Sequence, residues 1–246
     1  MNSKLTVQKL NEMKLFGLSK SYENRRIMPH HKDLSFDEFL ALLVEDEYLY
    51  RINNRQKRLI KQAKLKYPSA CFQEVDYTHS RGLIKTKMAN LQTVDWLDKF
   101  QNILITGPTG VGKSFLACCF GVWACRNGYS TYYFRWPRLL GDILAAKGEG
   151  NYLKHLNKLA KVRLLIIDDF GLSPLSDMDR KDLLEIVEDR YLTGATIITS
   201  QLPLDNWHEY INNPTLADAV CDRLFHFSNK LELKGDSMRK TTKNMD

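Results

Sequence analysis

Residues 107–114 read Gly107-Pro108-Thr109-Gly110-Val111-Gly112-Lys113-Ser114, a glycine-rich run that closes on a lysine and a hydroxyl. Each position has a chemical use. The glycines let the backbone curl until several N–H groups face one phosphate chain. Lys113 carries a positive charge that can reach β- and γ-phosphates. Ser114 carries a hydroxyl that can ligate Mg²⁺. The flanks suit this. Gln101 to Thr106 is a short apolar run that reads as a buried strand, and Phe115 to Arg126 reads as a helix. Phosphates held between the two would lie at a helix N-terminus, where unpaired N–H groups and the helix dipole favour anions. The run therefore predicts a nucleotide-phosphate loop from Gly107 to Phe115. The loop alone does not say what the nucleotide is used for.

A second constellation lies about 55 residues after Lys113, enough chain for a crossover. Val162 to Asp169 is a hydrophobic strand ending in two carboxylates. Asp168 is expected to hold Mg²⁺, directly or through water. Asp169 is expected to polarise the attacking water, which requires a carboxylate within hydrogen-bond reach. Many ATPases use Glu there. Asp is one methylene shorter, so slower hydrolysis or a different water position is expected. A third run, Ala195 to Gln201, is a β-branched strand with a polar end. The carboxyl ends of strands line the ligand crevice of an open α/β sheet. Thr199, Ser200 or Gln201 could thus reach the γ-phosphate or the water, and Gln201 is retained as the catalytic candidate.

Strands near 102–106, 130–134, 164–168, 195–200 and 229–233, with helices between, predict an α/β fold. Its core is a parallel sheet flanked by helices. Leu202 to Phe227 reads as two helices split by Asn212-Asn213-Pro214. Too little chain follows the last strand for a full helical lid. Arg190, Arg223 and Arg239 fall near element ends. Each could form a surface salt bridge or reach a neighbouring subunit's γ-phosphate.

The first hundred residues lack strand signals. Leu5 to Leu18 has helical spacing and is expected to stop near Gly17. Ser35 with Glu38 forms a capping box. No Gly or Pro interrupts Phe36 to Lys66, which reads as one long helix or two. Its first half holds Glu45-Asp46-Glu47. Its second half holds Arg51, Arg55, Lys57, Arg58, Lys61, Lys64 and Lys66 and no acidic residue. Arg51, Arg55 and Arg58 share one helix face, and Lys57, Lys61 and Lys64 form a stripe beside it. These positive charges suggest a sequence-independent, salt-dependent grip on a nucleic-acid backbone. The alternative is a solvated face. No zinc-finger or homeodomain signature is present, which favours backbone or shape binding.

Charge is unevenly placed within the net of +7. Residues 1–99 hold 18 Lys+Arg against 12 Asp+Glu, and residues 100–246 hold 18 against 17. The basic excess is N-terminal. No apolar run approaches membrane-spanning length, and Met1 to Lys20 has no signal-peptide core. Five cysteines without a C-x-x-C pair suit reduced thiols and a cytoplasmic setting. The adjacent His30 and His31 read as surface residues.

Taken together, these motifs resemble the IstB-like transposition helper ATPases of bacterial insertion sequences, in the AAA+ clade that includes the DnaC helicase loader. Leu34 to Leu40 followed by the basic helix is similar to the family's N-terminal region. Gly107 to Ser114 and Leu164 to Gly171 resemble its nucleotide motifs. Asp189-Arg190-Tyr191 through Thr199-Ser200-Gln201-Leu202-Pro203 and Trp207 resembles its sensor segment. Ala217 to Leu224 and Leu233 to Lys240 resemble its C-terminal signature. The resemblance covers about residues 34 to 240.

It implies a helical, basic N-terminal domain for DNA binding or oligomerisation over 1–68, a connector over 69–99, and a P-loop AAA+ domain over 100–246 with a minimal or absent lid. It further implies a homo-oligomer, ring or helical, that forms on double-stranded DNA with ATP and Mg²⁺ and assists the transposase of the same insertion sequence. Arg223 would be the finger that senses a neighbour's ATP, and Arg239 would resemble the second sensor. The family often has Asp-Glu where this chain has Asp168-Asp169. A DnaC-type replicative helicase loader is the alternative, and the nucleotide motifs do not separate the two. A small-molecule kinase would need a substrate pocket and lid, and it leaves the basic helix unexplained.

Overall fold

Strand β1 (Asn102–Thr106) sends Ile103 and Ile105 to one face and Leu104 to the other. Strand β3 (Leu164–Phe170) alternates likewise: Leu164 and Ile166 join the first face, Leu165 and Ile167 the second. In β4 (Ala195–Ser200), Ala195 and Ile197 join the first and Ile198 the second. Successive side chains on a strand point to opposite faces, so an unbroken apolar run needs cover on both. Every one of these residues is fully buried. With β2 (Thr131–Arg135) and β5 (Ser228–Glu232) they form a parallel sheet of order β2-β3-β4-β1-β5 in the computed structural model, which describes residues 3–27, 34–77 and 81–238.

Helix α6 (Lys113–Arg126) lies on the first face, with Phe120 at its centre. The second face is covered by α7 (Trp136–Gly148), α8 (Tyr152–Lys161), α9 (Asp177–Arg190), α10 (Trp207–Ile211) and α11 (Pro214–Phe225). All five expected strands are present within about two residues of their expected positions. Asn213 caps α11 by accepting the Leu216 N–H at 3.1 Å, and Pro214 follows at the first helical position, which explains the break at Asn212–Pro214.

The chain forms two compact units, 1–58 and 59–246. The expected division was at 68. It falls earlier because Leu59, Ala63 and Leu65 belong to the sheet's core. Residues 69–99 are more than a connector. They carry the short helices α4 (Lys85–Leu91) and α5 (Asp95–Asp98), and Phe72, Met88, Leu91, Trp96 and Leu97 are buried in the same core. Trp96 packs edge-on against Phe120, ring centroids 5.8 Å apart.

The first unit holds α1 (Ser3–Glu12), α2 (Phe16–Ile27) and the start of α3 (Phe36–Ala63). The capping box is formed: Ser35 Oγ accepts from the Glu38 N–H at 3.3 Å, and Glu38 accepts from the Ser35 N–H at 2.8 Å. Phe36 to Ala63 is one helix, which settles the one-or-two question. Gly17 does not end a helix as expected. It sits buried inside α2, where a Cβ would meet Tyr50 Cβ at 2.5 Å and Asp46 O at 2.9 Å. The glycine permits close approach of α2 to α3. Arg51 was expected to be uncompensated, but its Nε donates to Glu47 at 2.6 Å. Pro29, His30, His31 and Arg239 lie outside the described residues.

Among the described residues no helix is long and apolar enough to cross a membrane. The five cysteines are free thiols. Burial pushes Cys118 and Cys119 up to about 11 and about 12, so the thiols behind the loop are packing groups.

Candidate functional site

The glycine-rich loop joins the end of β1 to α6. Its backbone needs glycine at particular points. Gly107 has φ 142°, and a Cβ there would lie 2.1 Å from Leu233 O. Gly110 has φ 84°, and its Cβ would meet Ser237 Oγ at 2.0 Å. These clashes mark a cradle against which the segment after β5 is laid: Leu233 N–H donates to Thr106 O at 2.7 Å and Met238 N–H to Gly110 O at 3.0 Å. Gly107→Ala is therefore expected to weaken nucleotide affinity and lower the melting temperature. Backbone strain of about 1–3 kcal/mol at roughly 2–4 °C per kcal/mol gives a shift of several degrees, readable by calorimetry. An unchanged midpoint and affinity would show that the close approach is dispensable.

Lys113 opens α6 and is buried. Its Nζ donates to Gly107 O and Pro108 O, both at 2.7 Å, which aims the ammonium across its own loop. The next residue, Ser114, donates through Oγ to Asp168 Oδ1 at 2.8 Å. Asp168 is fully buried at the end of β3. Thr199 Oγ1 also donates to its Oδ1, and Tyr133 donates to its Oδ2 at 2.6 Å. A buried carboxylate is tolerated when hydrogen bonds satisfy its oxygens, and three hydroxyls do so here. Burial first, and Asp168 second, push the Tyr133 phenol far above its usual value, so it remains a donor.

Asp168 and Asp169 are neighbours on a strand, and regular alternation would send them to opposite faces. The β3–β4 register slips between Ile167 and Phe170, and Asp169 takes φ 63°. Asp is among the few residues that accept this conformation readily. Bulges beside active sites re-aim side chains. This one lets Asp169 line the cavity of about 160 Å³ that Thr109, Lys113, Ser114 and Gln201 also line. The Asp169 N–H donates to Thr199 Oγ1 at 3.2 Å, and one carboxylate oxygen accepts from Arg135 Nε at 2.8 Å. The same bond raises the Arg135 guanidinium above its ordinary value.

The structure chooses among the three polar residues at the end of β4. Thr199 is engaged with both aspartates. Ser200 Oγ donates to Phe170 O at 2.7 Å and accepts from the Leu202 N–H at 3.0 Å. Gln201 is exposed and lines the phosphate cavity. Of the three, Gln201 is the one that lines this cavity.

Beside the loop is a larger cavity of about 620 Å³, lined by Tyr67, Val75, Leu83, Phe115, Leu233 and Met238 among others. Mostly apolar walls and this volume suit a small ligand. Arg81 is buried at its edge, with Nη1 donating to Val111 O at 3.1 Å and Nη2 to Asp76 O. Its own carbonyl accepts from the Lys234 N–H at 3.0 Å. Arg81 thus ties three segments together behind the loop. Tyr133, Arg135, Tyr67 and Arg81 escaped the sequence reading. They stand far from the motifs in sequence and belong to no spacing pattern.

The remaining candidates lie apart from the loop. Arg190 is buried and donates to Leu159 O at 2.6 Å, Val162 O at 2.9 Å, Thr196 Oγ1 at 3.0 Å and Ala195 O. Burial pushes it down to about 9. It is a structural clamp, which removes it from the finger candidates. Arg223 Nε pairs with Glu188 at 2.6 Å. Its carbonyl accepts from Asn102 Nδ2 at 3.4 Å, at the opposite end of β1 from the loop. Four strand steps of about 3.3 Å separate those ends by roughly 13 Å. Arg55, Lys57, Arg58, Lys61 and Lys64 are exposed on or just after α3.

Residues 8–245 match the profile of the family described as IstB-like ATP binding protein. The chain belongs to this family. An insertion-sequence ATP-binding protein of Sinorhizobium fredii is 44% identical over 235 residues, covering 96% of each chain. The IstB-like chain also shares its fold with solved structures. DnaI superposes with a TM-score of 0.59 at 17% identity, covering 72% of this chain and 93% of DnaI. The DnaC helicase loader superposes with a TM-score of 0.52 at 21% identity, covering 64% of this chain and 95% of DnaC. At these identities the likeness is one of fold, and it places the IstB-like sheet in the P-loop AAA+ class.

Proposed function

We propose that this IstB-like chain is an ATP-dependent, DNA-binding ATPase that assembles on duplex DNA and assists the transposase of its insertion sequence. The observation that carries the nucleotide half is the convergence of Lys113, Ser114, Asp168, Asp169 and Gln201 on one loop. Family membership and the insertion-sequence relative support the other half.

The residues present fit ATP with Mg²⁺. Thr109, Gly110, Lys113, Ser114, Asp169 and Gln201 line a cavity of about 160 Å³ at the loop, and beside it the Ser114 hydroxyl donates to the buried Asp168 carboxylate at 2.8 Å. Ser114 and Asp168 would hold the cation, which would supply positive charge to offset that of the phosphates. Lys113 and the loop N–H groups bind the phosphate chain. The apolar cavity around Phe115 accepts the nucleoside. Asp169 accepts the proton of the attacking water, and Gln201 orients that water or the γ-phosphate. Thr199 and Tyr133 fix the geometry of the aspartates. Arg223 is remote from its own loop, so its role is toward a neighbouring copy. Arg239 is proposed as the second sensor.

DNA contact is assigned to Arg55, Lys57, Arg58, Lys61 and Lys64, with Arg51 weakened by its bond to Glu47. Replacing Arg55, Arg58 and Lys61 with Ala is expected to weaken duplex binding. The slope of log affinity against log salt should flatten by about 0.9 for each lost phosphate contact. Fluorescence anisotropy over a salt series reads both quantities. If both are unchanged, the basic face is solvated surface. Tighter binding to single strands than to duplex, together with affinity for a replicative helicase, would favour the loader reading instead.

A further inference from the structure

Helix α8 carries Lys154, Lys158 and Lys161 at spacings of four and three, which is one helix face. Residues 150–167 hold four Lys+Arg and no Asp or Glu, inside a region of near-balanced charge. What sets these lysines apart is that three of them share one helix face with no acidic residue on the same stretch. Several other cations of the same unit meet carboxylates: Lys147 with Asp182, Arg163 with Asp98, Arg180 with Asp177, Arg223 with Glu188. Among the described residues, none of the three α8 lysines enters an ion pair. Like charges this close repel, so an unpaired row is a standing electrostatic cost that a polyanion would relieve.

The row borders a groove of about 390 Å³ between α8 and the start of β2, lined also by Ser130, Tyr132 and Asn157. Hydroxyl and amide side chains are common phosphate partners. Lys158 Nζ stands 4.9 Å over the Tyr132 ring, which holds that ammonium at the groove. Strand β2 is the sheet's edge, so no further strand covers that side of the groove. An open groove suits a polymer better than a small ligand. Lys154 to Lys161 spans about 10 Å of helix, close to three phosphates at roughly 3.4 Å of axis per strand.

We infer that the α8–β2 groove is a second contact for the DNA backbone, on the ATPase unit itself and separate from α3. The inference rests on the DNA-binding reading above. Lysines also guard edge strands against pairing, and an acidic protein could use the same surface. The test separates these.

Lys154→Ala/Lys158→Ala/Lys161→Ala is compared with the wild type and with the α3 triple variant, using a fluorescent mixed-sequence duplex over a salt series. The expected result is weaker binding, with the slope of log affinity against log salt flattened by about 2–3. The loss should add to that of the α3 variant. A matching Lys→Arg triple should keep wild-type affinity, and unchanged ATP affinity in the Ala triple would show that the fold is intact. Unchanged duplex affinity and slope in the Ala triple, while the α3 variant is weakened, would overturn the inference and leave an edge guard. Normal duplex binding with lost transposase association would overturn it in favour of a protein partner. If the wild type binds no duplex, the DNA reading itself fails and this inference with it.

Discussion

Lys113→Ala is expected to raise the dissociation constant for ATP by at least about a hundredfold. The side chain is the cation at the turn of the loop, held over it by two carbonyls at 2.7 Å. Removing one partner of a largely buried charge pair costs about 3–5 kcal/mol, and each 1.4 kcal/mol is about tenfold in affinity. Fold stability should change less than affinity, since the lysine's bonds to Gly107 and Pro108 carbonyls lie within the loop itself. Calorimetric titration with ATP and Mg²⁺ reads the affinity. A value within a few-fold of wild type would mean that the phosphates bind elsewhere.

Asp169→Asn is expected to leave ATP affinity and assembly intact and to lower turnover by about 10²–10⁴-fold, the usual contribution of a positioned base. The amide is isosteric, so the bulge at Asp169 and the bond from its N–H to Thr199 should persist. Proton acceptance is lost, together with the charge that pairs with Arg135. Asp168→Asn should differ, because it disturbs a buried carboxylate that satisfies three hydroxyls and, on the proposed reading, would hold the cation. It is expected to impair Mg²⁺-dependent nucleotide binding as well as turnover. Single-turnover hydrolysis alongside binding separates the two aspartates. Normal turnover in Asp169→Asn would assign water activation to another group, with Gln201 the next to examine.

The parts of this site that could be read from the sequence are those whose chemistry is local. A glycine-rich loop between an apolar strand and a helix declares itself within eight residues. Asp168 and Asp169 stand out because they end an otherwise apolar strand. The partners that complete the site depend on strand order. β4 lies between β1 and β3, so Thr199 reaches Asp168, and β2 lies beyond β3, so Tyr133 and Arg135 reach the two aspartates. Nothing in the spacing of residues 133, 168 and 199 announces that adjacency. The bulge at Asp169 is equally silent, because Asp is permitted in both conformations. Gly17 shows the opposite difficulty. A glycine near the end of an apolar repeat fits a helix stop and a close helix contact alike, and Tyr50 and Asp46 decide between them. Arg51 shows a related difficulty: the stretch from Arg51 to Lys66 has no acid of its own, but Glu47 sits one turn earlier on the same helix and takes the Arg51 Nε bond.

The active site and the two basic surfaces make one joint demand. Arg223 is remote from its own loop, so on the proposed reading it serves a second copy, and the basic faces would let DNA gather those copies together. The most direct test is the mass of the protein by light scattering, with duplex or single-stranded DNA, and with ATP plus Mg²⁺ or no nucleotide. A large assembly that forms only when ATP and duplex are both present is the predicted result. A monomer under every condition, or assembly on single strands alone, would contradict it.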